Sequence, residues 1–279
     1  MFKILSKQIL AKGITRLEIL APEIAARARA GQFVVVRINE TGERIPLTIA
    51  GQNAAAGSIS VIFLEIGKTT AQLASLSPGD FILDLLGPLG RPTETGKHGA
   101  AVIVAGGVGA AEALPVAKAF RNAGNAVVGI IGARNKDMVI LEKEMRSAVN
   151  RLFITTDDGS YGMKGFVSDM LKELIEKKEE IGIVYAIGPV PMMKAVSALT
   201  KQHSIKTIVS LNPLMLDATG MCGVCRVTIA GKTRFACVDG PEFDAHEVNW
   251  DELINRLATF KNEEKLSLEK YKAECKCPE

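Results

Sequence analysis

The stretch from residue 100 to residue 120, AAVIVAGGVGAAEALPVAKAF, decides the fold. Its first part has the composition of a buried strand and its last part that of a helix, with a glycine-rich turn between them. Backbone N–H groups at the start of a helix that follows such a turn can bind a pyrophosphate. We therefore predict a nucleotide site at Gly106, Gly107, Val108 and Gly109, and a tight turn without a ligand is the alternative.

Apolar runs recur after this unit, and helix-like segments separate several of them. The runs are AVVGIIGAR, RLFITTDDGS, IGIVYAIG and TIVSL. This alternation predicts a parallel α/β domain over residues 96–210, with helices on both faces of the sheet. Open sheets of this kind bind ligands outside the carboxyl ends of their strands, which adds Asp157, Asp158, Gly188 and Pro189 to the predicted site.

Residues 1–95 show a different pattern, in which short alternating or β-branched runs are separated by turn residues. Examples are GQFVVVRI, SISVIFLEI and DFILDLLGPLG, and the pattern predicts a small antiparallel barrel. Polar residues interrupt the apolar strands at two places. Arg44 and Lys68 can pair with phosphate, and Thr69 and Thr70 can donate hydrogen bonds to it. Taken alone, these residues are ordinary surface charges and turn residues.

The cysteines supply the most specific signal in the chain. None of the five precedes Cys222, and Cys222, Cys225 and Cys237 lie close together in a glycine-rich segment, residues 211–250. Plant-type ferredoxins bind their cluster with the spacing C-x4-C-x2-C and one distant cysteine, and Asp217 stands where the first of these cysteines would be. We predict a [2Fe-2S] cluster on Asp217, Cys222, Cys225 and Cys237.

Other readings of this segment stay open. The same cysteine spacing fits a zinc site with His246 or Asp239 as its fourth ligand. It also fits three buried cysteines that bind no metal. Asp217 can also be a simple turn residue beside a glycine. Cys275 and Cys277 lie in a Lys/Glu-rich end without a companion ligand, where a frayed and non-functional terminus is expected.

The overall composition excludes several classes of protein. The chain has 279 residues, 47% of them hydrophobic and 23% charged, which argues against disorder. A net charge of +3 and an aromatic content of 5% argue against a nucleic-acid binder. No membrane span or secretory signal is evident, because charged residues and a proline interrupt every long apolar stretch. A cytoplasmic location is therefore expected, and the clustered cysteines fit a reducing compartment.

The last segment, residues 251–279, is charged and helical in pattern, with Leu253, Leu257, Leu266 and Leu268 as expected contact residues. Before it, the run from Asp239 to Glu252 contains six acidic residues and no Lys or Arg. Such a run usually faces water. The alternative is a docking surface for a partner subunit, with Glu242 and Asp244 as its test residues.

Taken together, these segments resemble the ferredoxin reductase superfamily with a C-terminal [2Fe-2S] extension, and the resemblance covers residues 1–255. The strings that carry it are GGVGAAEALPVAKAF, TTDDGSYGMKGF, AIGPVPMMKAV and LDATGMCGVCRVTIAGKTRFACVDGPEFDAHEV. They look like one branch, the small subunits of NADH-dependent ferredoxin:NADP oxidoreductases. The related electron-transfer subunits of dihydroorotate dehydrogenase have a fourth cysteine at the place of Asp217.

The resemblance implies an FAD-binding barrel, an NAD-binding α/β domain, a cluster segment and a C-terminal helix and tail. Arg44 would meet the FAD phosphate and Thr48 the flavin, Phe63 and Leu64 would line the adenylate side, and Gly67 would help to hold the pyrophosphate. The full set of implied FAD contacts is Arg44, Pro46, Leu47, Thr48, Phe63, Leu64, Gly67, Lys68, Thr69 and Thr70.

Three departures from the wider superfamily concern the flavin and the nicotinamide. Leu47 stands where a tyrosine stacks on the flavin, which predicts an apolar platform, and Arg44 is one place farther away than usual. Ile187 replaces the cysteine of a Cys-Gly-Pro motif, so no thiol assists hydride transfer. Arg134 follows a strand at a position where an arginine can bind the 2′-phosphate of NADP. The choice of NAD over NADP therefore rests on the resemblance.

The resemblance also implies an oxidoreductase that works in a heterodimer. The partner would be a larger subunit with flavin and [4Fe-4S] clusters, which splits electron pairs from NADPH and serves ferredoxin. Electrons would cross the cluster in this chain to FAD and on to NAD(H). The alternatives are the electron-transfer subunit of an NAD-dependent dihydroorotate dehydrogenase and, from another class, a zinc-stabilised nucleotide-binding regulator.

Overall fold

The structure, a computed structural model, describes residues 1–275. Within that range it contains two seven-stranded sheets and one two-stranded sheet. The first seven-stranded sheet is formed by the N-terminal part of the chain, and the second by the middle part together with one strand from the cysteine-rich segment.

The N-terminal sheet is antiparallel and nearly closed. Its strand order is β6-β1-β2-β5-β4-β3-β7, and Leu83 alone separates the edge strands β6 and β7 in the chain, so the sheet curls back on itself. The elements are β1 (Phe2–Ala11), β2 (Ile14–Leu20), α1 (Pro22–Arg27), β3 (Phe33–Arg37), β4 (Ile45–Asn53), β5 (Ser58–Leu64), α2 (Lys68–Ser75), β6 (Phe81–Ile82) and β7 (Asp84–Leu89).

The second sheet has the order β11-β10-β9-β8-β12-β13-β16, and all its pairings are parallel except that of β16 with β13. Its elements in the middle of the chain are β8 (Ala100–Gly106), a 3-10 turn (Gly107–Gly109), α3 (Ala110–Asn122), β9 (Ala126–Ala133), a 3-10 turn (Lys136–Met138), α4 (Glu142–Ala148), β10 (Arg151–Thr156), β11 (Met163–Lys164), α5 (Val167–Glu176), β12 (Ile183–Ile187), α6 (Val190–Gln202) and β13 (Thr207–Ser210). This architecture confirms the predicted fold class.

Central strand β8 shows why this sheet is covered on both faces. Ala101, Ile103 and Ala105 pack into one hydrophobic cluster with α3 and α4, whereas Val102 and Val104 pack into another with α5 and α6. A strand that is buried on both faces reads as a continuous apolar run, which is how AVIVA appears in the sequence.

The C-terminal part begins with the cysteine-rich segment, which forms a hairpin and short helical turns. Its elements are β14 (Arg226–Ile229), β15 (Lys232–Phe235), α7 (Ala236–Asp239), β16 (Glu242–Asp244) and a 3-10 turn (Ala245–Glu247), followed by α8 (Trp250–Leu257) and α9 (Lys261–Cys275). Cys277 and the predicted fraying of the last residues lie outside the described part of the chain. No helix among residues 1–275 is long and apolar enough to cross a membrane.

The C-terminal leucines meet only part of the expectation. Leu253 is buried and Leu257 packs against the α5–α6 side of the sheet. On α9, Leu266 is 52% exposed, whereas Leu268 is partly buried.

Candidate cofactor and cluster sites

The predicted nucleotide site lies where the chain direction across the second sheet reverses. Strands β8 and β12 are neighbours, but the chain continues from β8 to β9 on one side and from β12 to β13 on the other. Open α/β sheets bind their ligands in the crevice at such a switch point. The turn Gly106–Gly109 and the turn Gly188–Pro189 form the two sides of this crevice.

Glycines allow these two turns to approach closely. A Cβ on Gly109 would lie 2.5 Å from the carbonyl oxygen of Ile187. Gly188 has φ of +152°, and a Cβ there would lie 3.0 Å from the backbone nitrogen of Gly106. Side chains at these positions would therefore separate the turns and displace the backbone N–H groups that the sequence assigns to a pyrophosphate.

Asp157 and Asp158 follow β10 and are exposed. Their backbone N–H groups donate to Ala133 and Arg134 at the end of β9, so the two loops lie side by side. Asp158 accepts hydrogen bonds from the hydroxyl and the backbone of Ser160, and these bonds lower the pKa of its carboxyl. The structure thus brings Asp157, Asp158 and Arg134 together at the same edge of the sheet as the glycine turn.

Strand β4 presents its two faces to different surroundings. Leu47 packs with the core inside the barrel, as do Ile45 and Ile49, whereas Ala50 packs with the α3 side of the second sheet. Successive side chains on a strand alternate, so Thr48 shares the outward face with Ala50 and Pro46. The prediction of Leu47 as an apolar flavin platform is therefore corrected, because Leu47 is turned toward the barrel core. Pro46 and Thr48 occupy the face toward the nucleotide domain.

A similar division affects the predicted adenylate side. Phe63 lies in the barrel core, whereas Leu64 packs into the same hydrophobic cluster as Val108 of the glycine turn. Only the backbone of Phe63 is thus available to a cofactor outside the barrel. Leu64 and Val108 bring the predicted FAD and NAD sites into contact.

Helix α2 begins at the predicted FAD phosphate site. Gly67 precedes its first residue, Lys68, and the Gly67 N–H donates to the Thr70 hydroxyl at 3.0 Å. The Thr69 hydroxyl donates to Glu43 at 2.8 Å, so this side chain is already engaged. The backbone N–H groups of the first helical turn are the donors that a phosphate would use here. Arg44 is exposed at the start of β4.

The thiols of the cysteine-rich segment fall into an inner pair and an outer residue. Cys225 and Cys237 are buried, and their sulfur atoms are 3.2 Å apart. Both pack in one hydrophobic cluster with Phe33 and Val35 of β3. The third thiol, Cys222, is exposed.

Asp217 shapes the loop that carries the exposed thiol. Its carboxylate accepts hydrogen bonds from the backbone N–H groups of Thr219, at 3.0 Å, and Cys222, at 2.9 Å. These bonds lower the pKa of the Asp217 carboxyl. The arrangement is that of a turn residue, which was the alternative to a ligand. Within residues 1–275 no three His, Cys, Asp or Glu side chains converge in an arrangement that could hold a metal ion.

The protonation of the inner thiol pair depends on whether a metal is bound. Burial, and then the hydrogen bond and charge of the neighbouring Cys225, raise the pKa of the Cys237 thiol to about 12. The charge of Asp217 contributes to this rise in pKa, which places that carboxylate within electrostatic range, and the Gly220 N–H opposes the rise by donating to the sulfur. A buried thiol of this kind becomes a thiolate only when a metal compensates its charge.

The residues proposed as alternative zinc ligands have other partners. His246 Nε2 lies 3.0 Å from the Thr200 hydroxyl of α6, and Asp239 accepts a hydrogen bond from the Phe235 N–H at 2.8 Å. A zinc site completed by either residue is thus disfavoured.

Strand pairing connects the inner thiols to the flavin face. Phe33, which packs against both thiols, is the direct partner of Thr48 in the register of β3 with β4. Directly opposite residues of an antiparallel pair have Cα atoms only about 4.5–5.5 Å apart. The cluster segment therefore lies against the barrel wall beside the predicted flavin position.

Sequence reasoning missed the roles of Glu112 and Tyr185 near this wall and misplaced Glu242. Glu112 lies in the first turn of α3, Tyr185 is fully buried in β12, and Glu242 lies in β16. Tyr185 donates a hydrogen bond to Glu242 at 2.7 Å, and the Thr93 hydroxyl donates to the same oxygen at 2.5 Å. The signal that could have found Glu112 is its position as the only charge in the run AAVIVAGGVGAAEALPVA.

This geometry corrects the prediction for the acidic run. Glu242 is wrong as an exposed docking residue, because its carboxyl is enclosed by Thr93 and Tyr185 and burial raises its pKa. Asp244 is exposed, where it accepts a hydrogen bond from the His246 N–H.

Two family models match the chain. Residues 103–198 match an oxidoreductase NAD-binding domain, and residues 212–249 match the iron–sulfur cluster binding domain of dihydroorotate dehydrogenase B. The second match spans Asp217 and the three cysteines of the predicted cluster. The two matches support NAD binding at the glycine turns and cluster binding in the cysteine-rich segment.

Individual relatives match over nearly the whole length. A Clostridium beijerinckii protein described as an uncharacterized protein in the adh 3′ region is 49% identical over 95% of this chain and 92% of its own length. A Thermotoga maritima homolog of the electron transfer subunit of dihydroorotate dehydrogenase B (NAD(+)) is 44% identical, over 96% and 95%.

A solved structure of the NADH-dependent reduced ferredoxin-NADP oxidoreductase, described in the context of flavin-based electron bifurcation, superposes with a TM-score of 0.93 and 43% identity. It covers 97% of this chain and 98% of the other chain. These likenesses support the predicted oxidoreductase class and the predicted cofactor set of FAD, a [2Fe-2S] cluster and NAD(H). The chain belongs to the ferredoxin reductase-type electron-transfer subunits, the family that contains both of these oxidoreductase subunits.

Proposed function

We propose that this chain moves electrons between a [2Fe-2S] cluster in the cysteine-rich segment, FAD on the barrel and NAD(H) in the α/β domain. When bound, FAD exchanges single electrons with iron–sulfur centres and electron pairs, as hydride, with nicotinamide. The protein supplies the positions of the three groups. Thr48 and Pro46 face the flavin, and the turns at Gly106 and Gly188 face the NAD pyrophosphate.

The observation that carries the proposal is the contact of Cys225 and Cys237 with Phe33, the strand partner of Thr48. Directly opposite residues of paired strands point to the same face of the sheet, so an electron that leaves the inner thiols needs only to pass Phe33 along the outer face of β3 and β4 to reach the flavin face. No exposed loop intervenes on this route, because Phe33 and Val35 are both buried.

The proposed cluster ligands are Cys222, Cys225, Cys237 and Asp217. Three thiols and one carboxylate provide the donor types for such a cluster, and the inner pair is already close. Cys222 and Asp217 would have to turn inward from the loop. Gly220 and Gly223, both with positive φ, give that loop its tight bends.

We further assign a partner subunit to the exposed side of the cluster loop. Two large apolar side chains of this segment are exposed, Met221, the neighbour of Cys222, at 87% and Leu216 at 54%. An apolar rim around a redox group is typical of a surface that a protein partner covers. The partner that the sequence resemblance implies is a larger subunit with flavin and [4Fe-4S] clusters, which serves NADP and ferredoxin, and we propose that the complex works in the cytoplasm.

Anaerobic purification with cofactor analysis tests the proposal. One FAD and one [2Fe-2S] cluster per chain, with visible absorption from both, are expected. A colourless protein with stoichiometric zinc would overturn the proposal in favour of a nucleotide-binding regulator.

The electron-transfer subunit of a dihydroorotate dehydrogenase is the second candidate, because the family model that matches residues 212–249 is named for that enzyme. The copurifying subunit separates the two. A partner with [4Fe-4S] clusters supports the bifurcating oxidoreductase, whereas a flavin enzyme that oxidises dihydroorotate supports the alternative.

A further inference from the structure

The carboxylate of Glu242 joins three parts of the chain at one oxygen atom. Its Oε1 accepts a hydrogen bond from the Tyr185 hydroxyl of β12 at 2.7 Å and another from the Thr93 hydroxyl at 2.5 Å. Thr93 lies in the connection between the barrel and the α/β domain, and Glu242 begins β16 of the cysteine-rich segment. The two distances are those of hydroxyls that donate to an ionised carboxylate, and such bonds are about twice as strong as neutral ones. We call these three side chains the domain joint.

On one side, the domain joint is fastened to the barrel. The Thr93 N–H donates to the carbonyl of Ala30, in the loop that leads into β3, at 2.9 Å. The next residue of that loop, Gly31, has φ of +82°, and a Cβ there would lie 2.5 Å from Glu242 Oε1. The barrel loop therefore passes so close to the carboxylate that a residue with a side chain would push the two apart.

On the other side, the domain joint is fastened to the second sheet. Tyr185 is 1% exposed and pairs with Ile103 of the central strand β8. Glu242 belongs to β16, which pairs with β13 of the same sheet. The carboxylate is thus held to the α/β domain twice, through its own strand and through the buried phenol.

Both ends of the domain joint lie near the predicted reacting groups. Gly31 is two residues before Phe33, the strand partner of Thr48 on the predicted flavin face. Tyr185 is two residues before Ile187, the last residue of β12 before the predicted nucleotide crevice. Two residues of extended chain span only about 7 Å. A shift at the domain joint is therefore passed over a short distance to the flavin face and to the crevice.

The domain joint differs in kind from the apolar contacts between the two domains. Leu64 of the barrel and Val108 of the glycine turn, for example, pack into one shared hydrophobic cluster. Hydrophobic attraction has no preferred direction, so it tolerates sliding of one surface on the other. Hydrogen bonds weaken steeply when their angle is poor. The two bonds to Glu242 therefore select one orientation of the α/β domain on the barrel.

We infer that Glu242 is a positioning residue for hydride transfer between NAD(H) and FAD, and that it acts through the hydroxyls of Tyr185 and Thr93. This inference rests on the proposed function. In the transfer, the bond from C4 of the nicotinamide to its hydrogen breaks with both electrons, and a bond from that hydrogen to N5 of the flavin forms. NADH is thereby oxidised and FAD reduced. Such atoms must approach to about 3–3.5 Å, and a misplacement of about 1 Å can cost roughly a hundredfold in rate.

Stopped-flow reduction of the FAD-loaded protein tests this role in T93V, which removes one hydroxyl and keeps the shape of the side chain. At saturating NADH the rate of flavin reduction should fall by roughly ten- to a hundredfold, whereas the Kd of NADH stays within about twofold. The long-wavelength charge-transfer absorption between NADH and flavin should weaken. Reduction by dithionite should keep its rate, because it needs no nicotinamide.

Three further variants separate positioning from damage to the fold. Y185F removes the other hydroxyl and should reproduce the selective slowing with NADH. T93S restores a hydroxyl at the same place and should recover most of the rate. T95V is the matched control, since it makes the same substitution two residues farther along the connection, and it should leave both rates unchanged.

Amide hydrogen exchange gives a measurement that needs no cofactor. In T93V and Y185F, the amides of residues 90–93 should exchange faster than in the wild type, while those of β8 keep their protection. Unchanged NADH rates in both variants, a higher Kd without a slower rate, or equal slowing with dithionite would overturn the inference. Wild-type protein without FAD would reject the proposed function, and unaltered amide exchange in the variants would even then overturn the role of the domain joint.

Discussion

The inner and outer sides of the cysteine-rich segment differ in almost every physical respect. On the inner side, Cys225 and Cys237 are buried against the barrel. On the outer side, Cys222 is exposed, and the hydrogen bonds of Asp217 are to Thr219 and Cys222 of its own loop. The inner side is built by packing between distant parts of the chain, whereas the outer side is built by local turns. The inner pair therefore fixes where the electron path enters the protein, and the outer pair adjusts to the cluster and to a partner.

The largest effect is expected from Cys225→Ser. The substitution removes a thiolate ligand and leaves a hydroxyl in an apolar cluster, so the variant should lose the [2Fe-2S] cluster and also be less stable by about 1–3 kcal/mol. Iron and sulfide analysis with thermal unfolding measures both. Cys222→Ser is the outer control: it should reduce the cluster content with little change in the apoprotein's melting temperature. Equal destabilisation by both variants would contradict the difference between a packed inner side and a locally built outer side of the segment.

Phe33→Ala tests the buried side chain that lies beside the inner thiols and opposite Thr48 on the outer face of the barrel. Removing a buried phenylalanine side chain should lower the free energy of unfolding by about 3–5 kcal/mol. Electron transfer between cluster and flavin should also slow, although both cofactors remain bound. Phe33→Leu keeps most of the volume and should show a smaller loss in each measurement. A transfer rate that is unchanged in Phe33→Ala would place the path elsewhere.

Glu112→Gln tests the electrostatics of helix α3, which packs against β4, through the pH dependence of stability. Because the pKa of Glu112 is raised from 4.5 to about 7, the folded state binds more protons than the unfolded state between these values. Stability from this group is therefore present at low pH and is lost as pH rises through that window. The glutamine variant should be more stable than wild type at pH 8, by at most about 3 kcal/mol, and not at pH 4. Melting temperatures across this range measure the difference, and parallel curves would contradict it.

Asp217→Asn is expected to have the smallest effect. The amide oxygen can still accept one backbone hydrogen bond, so apoprotein stability should fall by less than about 1 kcal/mol. If Asp217 is a ligand, the cluster should become less stable toward loss of iron. Iron release to a chelator measures that effect, and an unchanged rate would leave Asp217 as a turn residue only.

The parts of the molecule that follow from local pattern were accessible from the sequence. The run AAVIVAGG predicts strand β8 and the glycine turn, because burial on both faces and close turn packing require small and apolar residues there. The spacing of Cys222, Cys225 and Cys237 likewise predicts the cluster segment.

Features that depend on long-range contacts were not accessible in the same way. Leu47 and Phe63 face the barrel core, and only the strand alternation in the folded barrel shows this. Glu242 lies in an acidic run that suggests an exposed surface, but the pairing of β16 with β13 brings it to Tyr185. Such placements are set by tertiary packing, which local sequence does not encode.

Electron paramagnetic resonance after anaerobic addition of NADH tests the central claim most directly. NADH delivers electrons at the α/β domain, so in this account they reach the cluster through the flavin and then past Phe33 on the outer face of the barrel. The wild-type protein should develop the signal of a reduced [2Fe-2S] cluster, and this signal should form more slowly in Phe33→Ala. A flavin that NADH bleaches fully while an intact cluster stays silent, although dithionite reduces it, would contradict a direct path from the inner thiols to the flavin.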